Sequence, residues 1–217
     1  VYGVILDIAA FIAAFVLVYL IGFKDDEATI TLSKAEAKKV ATGQKSTSTA
    51  KAGAEKVATD QKLSVNKLKI FSPLAGKVLP LSEAKDPAFS EGVMGKGIVI
   101  EPTSGEVFAP EDGVVSSLFP THHAIGILTD SGVEVLIHIG MDTVELAGNH
   151  YESFVIQGQT VKKGDKLLRF DIQAIEAAGY CVQTPVIITN TSNYGSIVAT
   201  EKQSVSPQDV LLVLISI

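Results

Sequence analysis

AIGILTDSGVEVLIHIG, residues 124–140, places two apolar stretches on either side of Asp130-Ser131-Gly132. Branched aliphatic residues flanking a Ser-Gly turn read as a β-hairpin. With Ser131-Gly132 as a two-residue loop, Asp130 pairs with Val133, Ile125 with His138 and His123 with Gly140. On that register His123 and His138 are diagonal neighbours on one face, about 7–8 Å apart at Cα. A slip of one residue would put the two rings on opposite faces. A polar ring within an apolar strand costs free energy unless something there uses it, which singles out His138.

Outward from the hairpin, short apolar stretches recur at 98–100, 107–108, 114–118, 186–189 and 210–215, separated by Gly, Pro, Asp and Ser. Helical periodicity is sparse, with Asp171–Ala178 the best short helix. The pattern predicts an all-β domain from Ile70 onward, an antiparallel sandwich or barrel. Two segments echo each other, Ser72-Pro73-Leu74-Ala75-Gly76-Lys77-Val78 and Ala109-Pro110-Glu111-Asp112-Gly113-Val114-Val115. Both read small-Pro-x-x-Gly-x-Val, which suggests two similar halves closing one core.

The 217 residues divide by composition into three parts. Residues 1–23 hold one charge, Asp7, and the run VILDIAAFIAAFVLVYLIGF (4–23) reaches the ~20 apolar residues that cross a bilayer. No basic leader precedes it and no A-x-A site follows, so it does not read as a signal peptide. With Val1 as the first residue, it reads as the tail of a larger membrane domain. Residues 24–69 hold ten Lys against six Asp/Glu and almost no large apolar side chains. Such a segment reads as a flexible tether on the cytoplasmic side, spanning about 35–40 Å as a coil. Residues 70–217 hold eight Lys/Arg against seventeen Asp/Glu, which with a net charge of -6 overall argues against nucleic acid as a partner. The single cysteine, Cys181, excludes an internal disulfide and fits a reducing compartment.

Two imidazoles on one surface can bind a metal, act as bases in hydrolysis, or carry and stabilise a phosphoryl group; they can also be satisfied core residues. A phosphoryl carrier needs a neutral ring nitrogen as nucleophile and a neighbour that donates to the phosphoryl oxygens. An apolar setting around His138 suits this, because excluding water protects a labile phosphohistidine. Thr121, two residues before His123, can accept from one of its ring nitrogens and fix the other.

The stretch Gly132–Val144 closely resembles the signature of the glucose/β-glucoside/sucrose-type enzyme IIA domain of the bacterial phosphoenolpyruvate-dependent sugar phosphotransferase system. Thr121-His122-His123-Ala124 resembles that family's Thr-x-His-Ala. Phe71-Ser72-Pro73-Leu74-Ala75-Gly76, Asp86-Pro87-Ala88-Phe89, the run Gly164–Asp171 and Thr184–Asn190 follow in family order, so the resemblance covers about residues 70–217. It implies a duplicated hybrid-motif β-sandwich and a phosphotransferase activity without a cofactor or metal. His138 would be phosphorylated at Nε2 by the phosphocarrier protein HPr and would pass the group to a cysteine of an enzyme IIB domain. His123 would stabilise the phosphoryl group and Thr121 would position His123. Asp86 and Asp142 would face basic partner residues, and Phe89, Val93, Met94 and Leu136 would line an apolar docking ring. By the same resemblance residues 1–23 are the last helix of an enzyme IIC membrane domain. That places the chain at the cell membrane with 24–217 in the cytoplasm.

His122 and His150 match no family role and read as surface residues, and Cys181 matches no IIB active-site loop. Three alternatives have their own requirements. A zinc hydrolase of a related β fold would need a His-x-x-x-Asp ligand and a His-x-His pair, and neither spacing occurs. A biotinyl or lipoyl carrier, suggested by Val161–Leu168, would need its modified lysine in an exposed hairpin that Val93-Met94-Gly95-Lys96 imitates poorly. A regulatory docking module would share the surface without the transfer.

Overall fold

The structure is a computed structural model, and it describes residues 67–216. The membrane span read over 1–23 and the tether up to residue 66 lie outside the described residues. Among the described residues no helix is long and apolar enough to cross a membrane. The first strand, β1 (Lys67–Phe71), takes in the last three residues of the segment read as tether, because it pairs along β14 (Val210–Ser216).

The domain is built of antiparallel strands. A large sheet runs in the order β13 (Ser204–Val205), β2 (Gly76–Pro80), β3 (Lys96–Pro102), β11 (Thr184–Ile188), β7 (Glu134–His138), β6 (Ala124–Thr129), β5 (Gly113–Leu118), β9 (Thr160–Val161). Two three-stranded sheets accompany it: β1–β14–β12 (Tyr194–Ala199), and β4 (Glu106–Phe108)–β10 (Lys166–Phe170)–β8 (Tyr151–Ser153). The helices are short: α1 (Pro87–Ser90) and α2 (Ile172–Ala177). Each begins at an aspartate, Asp86 and Asp171, whose side chain caps a backbone N–H of the first turn. Pro185 lies in the central strand β11 without breaking a ladder to β7, which starts only at Val186.

The strand order repeats in mirror roles, and the two echoing segments explain why. Gly76 and Gly113 each open a strand where an added Cβ would sit 2.2 Å from Glu101 O and 2.3 Å from Leu128 O. Each is flanked by a corresponding pair of neighbours, β13 and β3 around Gly76, β9 and β6 around Gly113. The halves exchange equivalent hydrogen bonds: Phe71 N–H donates to Pro110 O at 3.2 Å, and Phe108 N–H to Pro73 O at 2.9 Å. A second echo emerges in three dimensions, Val161–Leu168 against Val205–Leu212. Both turn through a left-handed residue, Gly164 at φ +85 and Gln208 at φ +73, followed by an aspartate that caps three residues back.

The large sheet has two unlike faces, as its period-2 alternation demands. Ile98, Ile100, Val135, Ile137, Val186 and Ile188 point into the main core. Val99, Leu136 and Ile187 point the other way, into a smaller apolar cluster with Leu79, Phe89 and Met141. His138 shares the parity of Leu136, so it belongs to this second face.

Candidate functional site

The hairpin that carries the histidines differs from its sequence-based register by one residue. Thr129 pairs with Val133, so the loop is Asp130-Ser131-Gly132, with Gly132 at φ +81 supplying the left-handed residue of a three-residue turn. Thr129 drives the longer loop, because its hydroxyl accepts from Val133 N–H at 2.9 Å. Ala124, not Ile125, therefore lies opposite His138. In a regular pleat this would send His123 to the far face. His123 escapes the pleat because β6 begins only at Ala124 and the preceding His122 is left-handed, at φ +55. The two imidazoles meet, with centroids 5.0 Å apart and planes at 81°.

His138 is 8 % exposed and His123 4 %. Phe89 lies 5.1 Å from the His138 ring, and Phe119 lies 5.3 Å from that of His123. Burial holds the His138 imidazole down to about 4, against the Gly140 hydrogen bond and the Asp86 charge, which raise it. Burial, followed by repulsion from His138, holds His123 down to about 3. Both rings are neutral at neutral pH.

A backbone oxygen fixes the tautomer of His138. Its Nδ1 lies 2.8 Å from Gly140 O. A carbonyl can only accept, so the proton is on Nδ1 and the lone pair of the neutral ring is on Nε2. The chain turns sharply there because Gly140 is at φ +81, and an added Cβ would meet Thr143 Cγ2 at 2.4 Å and Cys181 O at 2.9 Å. For His123, Thr121 Oγ1 lies 2.5 Å from Nδ1.

Around the rings, Asp86 caps α1, and Asp142 is exposed in a left-handed conformation at φ +58. Partial burial, then the charges of Asp86 and Glu145, raise the Asp142 carboxyl above its usual range. Val93 is 74 % exposed, and Met94 and Leu136 are half-buried against the second cluster. Phe89, expected in the docking ring, is 2 % exposed and packs against the His138 ring. His150 is exposed and His122 half-buried, and Cys181 is a free thiol packed into the second cluster. Among the described residues no three His, Cys, Asp or Glu side chains converge as a metal site would require. The sequence reading missed the Gly140 carbonyl, whose one signal was a glycine two residues after the histidine.

Residues 68–194 match the family described as phosphoenolpyruvate-dependent sugar phosphotransferase system, EIIA 1. The chain belongs to that family. It is 55 % identical over 148 residues to a PTS system beta-glucoside-specific EIIBCA component of Halalkalibacterium halodurans, covering 68 % of this chain and 23 % of that protein. A PTS system glucose-specific EIIA component of Staphylococcus epidermidis is 41 % identical over 138 residues, 64 % of this chain and 83 % of that protein. Among solved structures, glucose permease IIA from Mycoplasma capricolum matches with TM-score 0.63 and 39 % identity, over 68 % of this chain and 96 % of that one. The chain spans less than a quarter of the length of the EIIBCA relatives. Its described residues carry the EIIA domain of that family.

Proposed function

We propose that His138 Nε2 accepts a phosphoryl group from HPr and delivers it to a cysteine of an enzyme IIB domain. In the first step the Nε2 lone pair forms the N–P bond as the P–N bond of the donor phosphohistidine breaks. In the second, an S–P bond forms at the IIB cysteine while the bond at His138 breaks, returning the lone pair to Nε2. The observation that carries this reading is the Nδ1 to Gly140 O hydrogen bond, which leaves Nε2 as the nucleophile beside a second ring 5.0 Å away.

His123 stabilises the phosphoryl oxygens by donating from Nε2. A neutral ring can do so only if its proton is on Nε2, so Thr121 donates its hydroxyl proton to Nδ1 instead of accepting from it. Asp86 and Asp142 meet basic residues of HPr and IIB, while Val93, Met94 and Leu136 provide the apolar contact. In the whole protein, residues 1–23 end a IIC membrane domain and 24–66 link it to the carrier, with that link on the cytoplasmic side. The EIIBCA relatives favour this arrangement, since their names join IIB, IIC and IIA.

Labelling from phosphoenolpyruvate through enzyme I and HPr tests the reading. His138→Ala is expected to take up no label, and an acid-labile, base-stable phosphoprotein in that variant would overturn the assignment. His123→Gln is expected to take up label yet transfer it to IIB about 10²-fold more slowly, the usual cost of losing one donor to a developing oxyanion. Undiminished transfer would remove His123 from the mechanism.

A further inference from the structure

The carbonyl that orients His138 belongs to glycine, the residue with the greatest backbone freedom, so something must hold it. The peptide joining Ile139 to Gly140 is planar, and its two ends are anchored separately. At the nitrogen end, Gly140 N–H donates to Gln183 O at 3.1 Å. At the oxygen end, Ile139 O accepts from two hydroxyls, Thr143 Oγ1 at 2.6 Å and Tyr151 Oη at 3.1 Å. The next peptide is anchored by Met141 N–H, which donates to Cys181 O at 2.9 Å. With both flanking planes fixed, the Gly140 carbonyl has one direction, toward His138 Nδ1.

Tyr151 differs from the other anchors in origin. It lies on β8, in the small sheet β4–β10–β8, outside the hairpin and the large sheet that carry the histidines. Its ring is stacked on Phe170, with centroids 6.3 Å apart and planes at 26°, and its backbone is paired with the same residue in β10. The phenol is pushed up to about 12 by burial, so it remains a donor across the physiological range.

The geometry points to Tyr151 as a positioning residue for the phosphoryl transfer: it holds the Ile139–Gly140 peptide, and through the Gly140 carbonyl it keeps His138 in the tautomer with Nε2 unprotonated. Tyr151 touches neither the ring nor the phosphoryl group. Its effect travels through two consecutive peptide planes. The inference rests on the proposed role of His138, and its test separates the two.

Tyr151→Phe in the full chain keeps the ring on Phe170 and removes only the hydroxyl. Nitrogen-15 shifts of His138, read without any phosphorylation, are expected to show one tautomer in the parent chain. In the variant, a second tautomer protonated on Nε2 should appear. The turnover rate for phosphoryl acceptance from HPr is expected to fall about fivefold, the weight of one neutral hydrogen bond, with KM for HPr unchanged. An unaltered tautomer, or an unaltered turnover rate, would overturn the inference whatever happens to the melting temperature. A rise in KM with the tautomer unchanged would likewise overturn it. Failure of the underlying reading appears elsewhere, as label on His138→Ala, and leaves the tautomer result standing on its own.

Discussion

At the scale of single residues, the site stores two uncharged imidazoles where water would leave them half-protonated near pH 6.5. Both are depressed by burial, His138 to about 4 and His123 to about 3, so the folded chain binds fewer protons than the unfolded chain below pH 6.5. Stability from these groups is therefore complete above pH 6.5. It is lost as pH falls through 6.5 toward 4 and then 3. His138 alone accounts for up to about 3 kcal/mol of this loss. Urea midpoints measured from pH 7.5 down to 4.5 are expected to fall, and His138→Gln should flatten that fall. An equally steep decline in the variant would show that other groups govern the acid limb.

At the scale of elements, period-2 alternation and turn chemistry made most of the large sheet legible. The apolar stretches expected at 98–100, 114–118, 124–128, 133–139, 186–189 and 210–215 all fall within or across observed strands. The short helix expected at Asp171–Ala178 forms as α2, with Asp171 as its cap. The hairpin register was off by one because a side-chain hydroxyl, that of Thr129, selected a three-residue loop over the two-residue turn. The rings still meet because a left-handed residue precedes the strand, a feature that spacing cannot express. Strands such as β10, with charged residues at its exposed positions, carry too weak an apolar signal to be read alone. The helix α1 is only four residues long, too short for periodicity, although its Asp86-Pro87 start is a recognisable signal.

At the scale of the whole molecule, one echo was visible in the sequence, and the second was hidden because Gln208 replaces the glycine at its turn. Together they relate β1–β14–β12 to β4–β10–β8 and one end of the large sheet to the other. β1 is thus a structural half-partner and not the end of a leash. Ile70 is fully buried, and the strand pairs with β14 along its whole length. A chain beginning at Ser72 is expected to lose roughly 3–6 kcal/mol of unfolding free energy relative to one beginning at Lys67, from one buried isoleucine and the lost ladder. Denaturant titration of the two would show this, and matching midpoints would make β1 dispensable. The oxygen that fixes the tautomer of His138 has a different kind of permanence, since it is contributed by the main chain. No codon change can delete it, so a survey that trims side chains one at a time would pass over the group that sets which ring nitrogen is free. Replacing the peptide oxygen itself, by chemical synthesis, is the only direct way to weigh it.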